Sequence, residues 1–156
     1  MKKISVLFVC LGNICRSPAA EAIFNKLLEK KGLSERFIVD SAGTGSWHIG
    51  KKADIRMRTA AERRDIHILS RARQINSSDF GKFNYILAMD NSNFFNIINL
   101  KKNQSSTEFA SIKKLQDFRS VYMEEEVPDP YFGGEEGFDH VLDILDDSVS
   151  GFLKSI

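Results

Sequence analysis

The sequence predicts an α/β fold, a doubly wound four-stranded parallel sheet with helices on both faces. Short apolar segments rich in β-branched residues, typical of buried parallel strands, alternate with segments of helical periodicity along the 156 residues. Polar or reactive side chains stand where three predicted strands end, at Cys10, Ser41 and Asp90. Because such sheets bind ligands beyond the carboxyl ends of their strands, this pattern predicts a functional site there.

The first predicted unit is a strand, a loop and a helix. Ile4–Val9 is β-branched and aromatic, as in a strand buried on both faces. The helix is predicted to begin with Ser17 as its cap and Pro18 in its first turn, and to end at residues 30–32, Lys-Lys-Gly. The loop between them therefore lies at a helix N-terminus, where anions bind readily.

The rest of the chain continues this alternation of strands and helices. Capping residues and apolar periodicity define the elements. The predicted elements are a strand at Phe37–Val39, a turn-rich stretch at 40–45 that continues as a loop through Lys52, a helix at about Asp54–Arg64, a strand at Tyr85–Met89, a helix from its cap at 90–92 to about Lys101, a strand at Ile112–Leu115, and a terminal helix at about Gly134–Leu153.

Composition narrows the class of protein. A chain with 42% hydrophobic and 28% charged residues, and no linker or repeat, predicts one globular domain spanning 1–156. The net charge of +1 lacks the basic footprint of a nucleic-acid-binding protein, and no apolar run approaches the roughly 18 residues of a membrane span. The two cysteines, Cys10 and Cys15, are too few for a secreted disulfide framework or a metal cluster. We expect a cytoplasmic protein without metal or cofactor.

The loop after the first strand combines a thiol with a guanidinium. Cys10 and Arg16 stand six positions apart in the segment VCLGNICRSP. The amides of Leu11–Arg16, the helix dipole and the arginine charge would concentrate the positive potential that an anion and a thiolate both require. Gly12 would allow a tight turn, and Asn13 tolerates a left-handed backbone. The residues predicted to form a phosphate-binding loop are Leu11, Gly12, Asn13, Ile14, Cys15, Arg16 and Ser17.

Two separate segments of the chain carry a family resemblance. The nine residues Cys10–Pro18 resemble the signature loop of the low-molecular-weight protein tyrosine phosphatases, and Asp129–Tyr131 resembles their general-acid loop. Three further segments match in order and spacing: Val39–Ala42, Ala72–Ile75 and Met89–Asn93. The resemblance covers nearly the whole chain, from about Ser5 to Phe152, and implies the same fold and a phosphatase activity.

The resemblance implies a two-step reaction. The Cys10 thiolate attacks phosphorus and forms a cysteinyl-phosphate while Asp129 protonates the departing phenol; Asp129 then activates the water that hydrolyses the intermediate. Arg16 and the loop amides would stabilise the equatorial oxygens without a metal. The implied partners are phosphotyrosine-containing proteins or peptides, with inorganic phosphate and similar oxyanions as ligands of the same site.

The resemblance also assigns supporting roles around the loop. Trp47 and Tyr131 would form the walls of a slot for an aromatic ring. Ile14 favours phosphotyrosine, because relatives directed to phosphoarginine tend to carry threonine at that position. Apart from the resemblance, a second thiol inside the loop, Cys15, either packs there or forms a disulfide with Cys10 that would protect the nucleophile from irreversible oxidation.

A hydrogen-bond network would brace the loop. Asn13, Ser17 and Ser41 match the network of the family. Ser70 stands where many relatives have a histidine, which leaves open how the network is completed here. Asp90 either orients the site or caps a helix, and His48 and His67 are expected in loop or surface positions.

Three other functions use a similar loop. An arsenate reductase would require additional cysteines to resolve its intermediate, and the chain has none outside the loop. A phosphocysteine carrier would not require Asp129, because it does not hydrolyse its intermediate. A phosphotyrosine-binding module with decayed catalysis would not retain Cys10, Arg16 and Asp129 together.

Overall fold

The computed structural model describes residues 2–103 and 110–156, which include one four-stranded parallel sheet. Its strands are β1 (Ile4–Cys10), β2 (Phe37–Gly43), β3 (Tyr85–Ala88) and β4 (Ser111–Lys114). They lie in the order β2-β1-β3-β4, so the chain adds β2 at one side of β1 and then crosses to add β3 and β4 at the other. The predicted doubly wound sheet is confirmed.

Five α-helices accompany these strands in the described residues. They are α1 (Arg16–Lys30), α2 (Ile55–Glu62), α3 (Asp79–Lys82), α4 (Asn91–Lys102) and α5 (Glu135–Ser155). Two short 3-10 helices lie at Ser34–Arg36 and Leu115–Phe118. The 3-10 helices and α3 were absent from the prediction, because elements of a single turn are too short to show periodicity. None of the described helices is both long and apolar enough to cross a membrane.

Strand β1 is buried on both faces, which explains its continuous apolar sequence. Val6 and Phe8 face a core that includes α1 and α5, whereas Leu7 and Val9 face a second core that includes α4. Phe24 of α1 packs edge-on against Phe8, with ring centroids 5.7 Å apart. The predicted apolar face of the terminal helix is buried as expected: Phe138, Val141, Leu142, Leu145, Val149 and Phe152.

Two predicted boundaries were wrong, and both lie beside the first loop. Helix α1 begins at Arg16 with Cys15 as its N-cap residue, so Ser17 lies within the first turn and does not cap it. Strand β2 does not end at Val39 but continues to Gly43. Its turn-forming residues are extended because they pair in parallel with the last residues of β1. Pairing with a neighbouring strand therefore overrides local turn preference.

Gly151 allows α5 to lie directly against the 3-10 helix Leu115–Phe118. A β-carbon at Gly151 would come within 1.9 Å of the carbonyl oxygen of Phe118, which is backbone and cannot rotate away. Gly137 lies in the same helix without this constraint, since a β-carbon there would meet Pro130 Cβ at an ordinary 3.7 Å. Only one of the two glycines is required for packing.

The substitution Gly151→Ala should therefore destabilise the fold by about 1–3 kcal/mol, because α5 must move away from the chain beneath it. Gly137→Ala is the matched control and should be neutral or stabilising by up to about 1 kcal/mol, because alanine favours helix more than glycine does. Urea unfolding at equilibrium measures both free energies. Equal stabilities of the two variants would contradict the close packing at Gly151.

Candidate active site

The candidate site lies at the carboxyl end of β1. This strand is the switch point of the sheet, because β2 lies on one side of it and β3 and β4 lie on the other. Cys10 is the last residue of β1, and Arg16 begins α1. The five intervening residues form a loop beside the carboxyl ends of β2 and β3. The predicted strand, loop and helix unit thus has the predicted place in the fold.

The loop turns its carbonyl groups outward. The carbonyls of Cys10 and Leu11 accept hydrogen bonds from the amides of Thr44 and Gly45 at 2.9 Å each. Farther along the loop, the Ile14 carbonyl accepts from the amide of Asp54 at 2.8 Å. Because C=O and N–H point in opposite directions in a trans peptide, the amides that follow these carbonyls face the centre of the loop. Inward amides are what a bound oxyanion requires.

Cys10 lies at the bottom of this loop and is 3% exposed. Its Sγ lies 3.0 Å from the hydroxyl oxygen of Ser17 and accepts a hydrogen bond from the amide of Asn13 at 3.3 Å. Hydrogen bonds of this kind stabilise sulfur in its anionic form. The position of Ser17 in the first turn of α1, instead of at the cap, is what brings its hydroxyl to the sulfur.

Asn13 is the brace of the loop. Its backbone is left-handed, with a φ of 57°, and Asn accepts this conformation better than most residues, as predicted. Its side-chain amide donates to Ser17 Oγ at 2.7 Å and to Ser41 Oγ at 3.0 Å, and its oxygen accepts from the amide of Arg73 at 2.9 Å. Gly12 does not have a positive φ; its missing side chain instead makes room for the ring of His48, 3.0 Å from the β-carbon position.

Arg16 carries the positive charge of the site and is 3% exposed. Its Nη1 donates to Asp90 Oδ2 at 2.7 Å and to the Val127 carbonyl at 3.0 Å, and its Nη2 lies 3.7 Å from Asp129 Oδ2. Burial opposes the charge, but the neighbouring Cys10 and the two carboxylates outweigh burial and raise the pKa of the guanidinium. Arg16 therefore remains a cation.

Asp90 performs both of the roles left open by the sequence. One carboxylate oxygen accepts the hydrogen bond from Arg16, and the other accepts from the amide of Asn93 at 2.7 Å and so caps α4. The residue lies two positions beyond the last residue of β3, and from there its side chain reaches Arg16. The helix cap thus fixes the carboxylate that orients Arg16.

Asp129 approaches the loop from a distant part of the chain. Its Oδ1 accepts a hydrogen bond from the amide of Tyr131 at 3.1 Å, and its side chain is 40% exposed. Together with Cys10 and Arg16 it lines a cavity of about 130 Å³. The remaining lining residues are Leu11, Gly12, Ile14, Cys15, Trp47, His48, Tyr131 and Phe132.

Aromatic side chains form part of the wall of this cavity. Trp47 is 68% exposed, while Tyr131 is partly buried against the core. His48 stands between the loop and Tyr131, with 6.3 Å between the two ring centroids. Its place in the cavity wall was missed, because it depends on the space above Gly12 and not on any sequence spacing. His67, as expected, is exposed.

Glu21 completes the network behind the loop and was also missed. The Ser41 hydroxyl donates to Glu21 Oε1 at 2.6 Å, which extends the series of contacts from Cys10 through Ser17, Asn13 and Ser41. Burial is the largest cause that raises the pKa of Glu21, while the hydroxyls of Ser41 and Ser70 oppose the shift.

Ser70 and Glu21 both line a second cavity of about 670 Å³. The sequence left open how the bracing network is completed at this serine. The bracing network ends at the carboxyl of Glu21, which belongs to α1 and accepts a hydrogen bond from Ser41. The hydroxyl of Ser70 opposes the rise in the pKa of that carboxyl, so Ser70 lies beside the end of the network.

Chemically, the site suits a nucleophilic thiol that acts on a tetrahedral oxyanion, and the fold is that of a doubly wound α/β enzyme. Residues 5–156 match the family model described as low molecular weight phosphotyrosine protein phosphatase. The chain belongs to this family, whose members are hydrolases of phosphate monoesters.

Individual relatives align with this chain over nearly their whole length. The low molecular weight phosphotyrosine protein phosphatase of Schizosaccharomyces pombe is 46% identical over 99% of this chain and 98% of its own. A protein tyrosine phosphatase from Entamoeba histolytica, solved with Hepes in the active site, has a TM-score of 0.92 at 44% identity, covering 98% of this chain and 96% of that one. A Drosophila arginine phosphatase has the same TM-score of 0.92 at 35% identity, covering 99% and 97%.

The substitution Glu21→Gln tests the half-buried carboxyl behind the loop. The variant keeps an oxygen that accepts from Ser41 but cannot ionise. Because the pKa of Glu21 is raised in the folded state, its stabilisation is complete at acid pH and is lost as the pH rises through the raised pKa. The free energy of unfolding of Glu21→Gln relative to the wild type should therefore increase from pH 4.5 toward neutrality.

Urea unfolding across this pH range gives the difference between variant and wild type. Glu29→Gln, at an exposed position farther along α1, is the control and should show no such trend. A difference for Glu21→Gln that stays constant with pH would show that the carboxyl ionises equally well in the folded and unfolded chains.

Proposed function

We propose that residues 1–156 form one phosphatase domain that hydrolyses phosphotyrosine monoesters in proteins or peptides through a cysteinyl-phosphate. The observation that carries this proposal is the meeting of Cys10, Arg16 and Asp129 around one cavity, although Asp129 lies more than a hundred residues away in sequence. A nucleophile, a cation and a proton donor in one place are the groups that the reaction requires.

In the first step the Cys10 sulfur attacks phosphorus and the bond to the phenolic oxygen breaks. The inward amides of the loop and the Arg16 guanidinium bind the three equatorial oxygens. These donors are already in position before negative charge develops on the oxygens in the transition state. Nη1 of Arg16 is committed to Asp90 and Val127, so Nη2 and Nε are the groups available to phosphate. Fixed donors of this kind make a metal unnecessary.

Asp129 handles the proton in both steps. A phenolate is a poor leaving group, so a protonated Asp129 donates its proton to the departing oxygen. The resulting carboxylate then takes a proton from the water that attacks the phosphocysteine, which breaks the S–P bond and releases inorganic phosphate. Its partial exposure, 40%, allows it to exchange protons with solvent between the steps.

The slot above the loop supports an aromatic ester as substrate. Trp47 and Tyr131 both line the cavity and offer aromatic faces to a phenyl ring. Ile14 adds an apolar side chain at the base of the slot, where an aryl ring is better accommodated than a guanidinium. A structural neighbour is named an arginine phosphatase, so phosphoarginine is the competing substrate to measure.

Two further properties belong to the proposal. A cytoplasmic location agrees with the two free cysteines, Cys10 and Cys15, which a reducing compartment preserves. Redox protection is the second property. After a peroxide oxidises Cys10 to a sulfenic acid, Cys15 attacks that sulfur, forms a disulfide and releases water.

The surroundings of the two thiols support this division of roles. Burial, the largest cause, and the carboxylate of Asp54 raise the pKa of Cys15, so that it remains a thiol at neutral pH. A protonated thiol is oxidised slowly, so peroxide should not react first at Cys15.

Substitutions of the nucleophile and the acid test the mechanism. Cys10→Ser should abolish hydrolysis of aryl phosphates. Asp129→Asn should lower kcat/KM for phenyl phosphate by about 10²–10⁴-fold and should affect 4-nitrophenyl phosphate much less, because its leaving group hardly requires a proton. A chelator should leave the wild-type rate unchanged.

Steady-state rates on a series of substituted phenyl phosphates, and on phosphotyrosine and phosphoarginine peptides, provide the measurement. Activity that survives Cys10→Ser would overturn the mechanism. Faster release of phosphate from phosphoarginine than from phosphotyrosine peptides would overturn the assigned substrate.

The substitution Cys15→Ser tests the redox role. Hydrogen peroxide should inactivate both wild type and variant, but dithiothreitol should restore activity fully only in the wild type, where a disulfide forms before further oxidation. The recovered fraction of activity and the mass of the peptide containing residues 10–15 are measured together. Equal recovery in both proteins would exclude the protective disulfide.

A further inference from the structure

We propose that Arg56 is a positioning residue that holds the acid loop, residues 128–133, over the phosphate-binding loop. Nothing in the sequence singles out this arginine, which lies in the first turn of α2, and the inference rests on the proposed role of Asp129 as proton donor. Arg56 does not line the active-site cavity, so it acts only through the residues that it holds.

One end of the connection is Asp54, which is fixed to the phosphate-binding loop. Arg56 Nε and Nη2 donate to the two carboxylate oxygens of Asp54 at 3.1 and 2.9 Å. The Asp54 backbone amide donates to the Ile14 carbonyl, and its carboxylate caps α2. The hydrogen bonds from Arg56 are the largest cause that lowers the pKa of Asp54, so the pair is ionised at neutral pH.

The other end of the connection is Tyr131. Arg56 Nη2 donates to the Tyr131 carbonyl at 2.9 Å, and the guanidinium lies over the tyrosine ring, 5.4 Å from its centroid. It also lies over the ring of Phe138 at 4.7 Å, which belongs to α5 just beyond the acid loop. A planar guanidinium can bind a carboxylate, a carbonyl and a ring face together, whereas a lysine ammonium cannot.

Tyr131 in turn orients Asp129. Its amide donates to Asp129 Oδ1 and its carbonyl accepts from Arg56. Tyr131 therefore connects the arginine to the carboxylate. Among the hydrogen bonds of the described residues, that from Arg56 alone ties the backbone of residues 129–133 to another element. The nearest other anchor is Val127, whose amide and carbonyl bond to Met89 and Arg16.

Loss of Arg56 should therefore impair proton donation by Asp129 and leave the attack of the Cys10 sulfur unchanged. Without its hydrogen bond, Tyr131 and Asp129 are free to move away from the leaving group. The phosphate-binding loop keeps its own braces from Asn13 and Arg16, which Arg56 does not contact. A displacement of about 1 Å can reduce a rate by about a hundredfold, so a loosened acid loop is a measurable defect.

The substitution Arg56→Gln tests the inference on the series of substituted phenyl phosphates. We expect kcat/KM for phenyl phosphate to fall by about 10–100-fold, and that for 4-nitrophenyl phosphate by less than about 3-fold. Arg58→Gln is the matched control, since Arg58 lies in the same helix and bonds to the Ala53 carbonyl, away from the acid loop. Arg56→Lys keeps the charge but lacks the planar guanidinium that binds Asp54 and Tyr131 together, so it should retain only part of the wild-type rate.

A double-mutant cycle with Asp129→Asn separates positioning from general loss of structure. If Arg56 acts through Asp129, Arg56→Gln should lower the phenyl phosphate rate by less than about 3-fold further in the Asp129→Asn background. An equal reduction in both backgrounds, or equal losses for good and poor leaving groups, would overturn the positioning role. Urea unfolding of each variant confirms that the assays measure folded protein.

The outcomes also distinguish the two proposals. If Asp129→Asn shows the leaving-group dependence but Arg56→Gln matches Arg58→Gln, the proposed function stands and the inference about Arg56 is wrong. If Asp129→Asn shows no leaving-group dependence, the proposed role of Asp129 fails before Arg56 is considered, and the inference fails with it.

Discussion

Arg16 is a charged side chain with 3% of its surface exposed, and the protein holds it between the ends of two neighbouring strands. A buried guanidinium without a partner would be strongly destabilising, because it loses its hydration. Asp90 supplies the opposite charge from the end of β3, and the Val127 carbonyl takes a second N–H. The same pairing fixes which side of the guanidinium faces the cavity. The contacts that stabilise the buried charge therefore also set the geometry of the site.

The phosphate-binding loop is rigid because its peptide groups are bonded on the outside. Its carbonyls bond to the segments after β2 and before α2, and Asn13 connects Ser17 to Ser41 from behind. Glu21 ends this network in a half-buried position beside Ser70. The family resemblance left open how the network is completed at Ser70, and in the structure the network ends at a carboxyl of α1 beside this serine.

The proton donor is held by a different principle from the nucleophile. Cys10 is set by the rigid end of a buried strand, whereas Asp129 belongs to a segment with few hydrogen bonds to the rest of the protein. Its position depends on the hydrogen bonds of Val127 and on Arg56, which connects Tyr131 to Asp54. A partly exposed acid on a lightly anchored segment can exchange its proton with water, which the two-step reaction requires.

The amino-acid sequence by itself predicted the fold class and the main strands and helices, because periodicity and capping are local signals. A nine-residue motif singled out Cys10 and Arg16, and the family resemblance added Asp129. The sequence misplaced the end of β2 and the first residue of α1, since pairing with β1 and the contacts of the loop before α1 are not visible in local preferences. Only the tertiary structure brought Glu21, His48 and Arg56 to the site. Their positions follow from contacts between distant segments, and no spacing along the chain encodes such contacts.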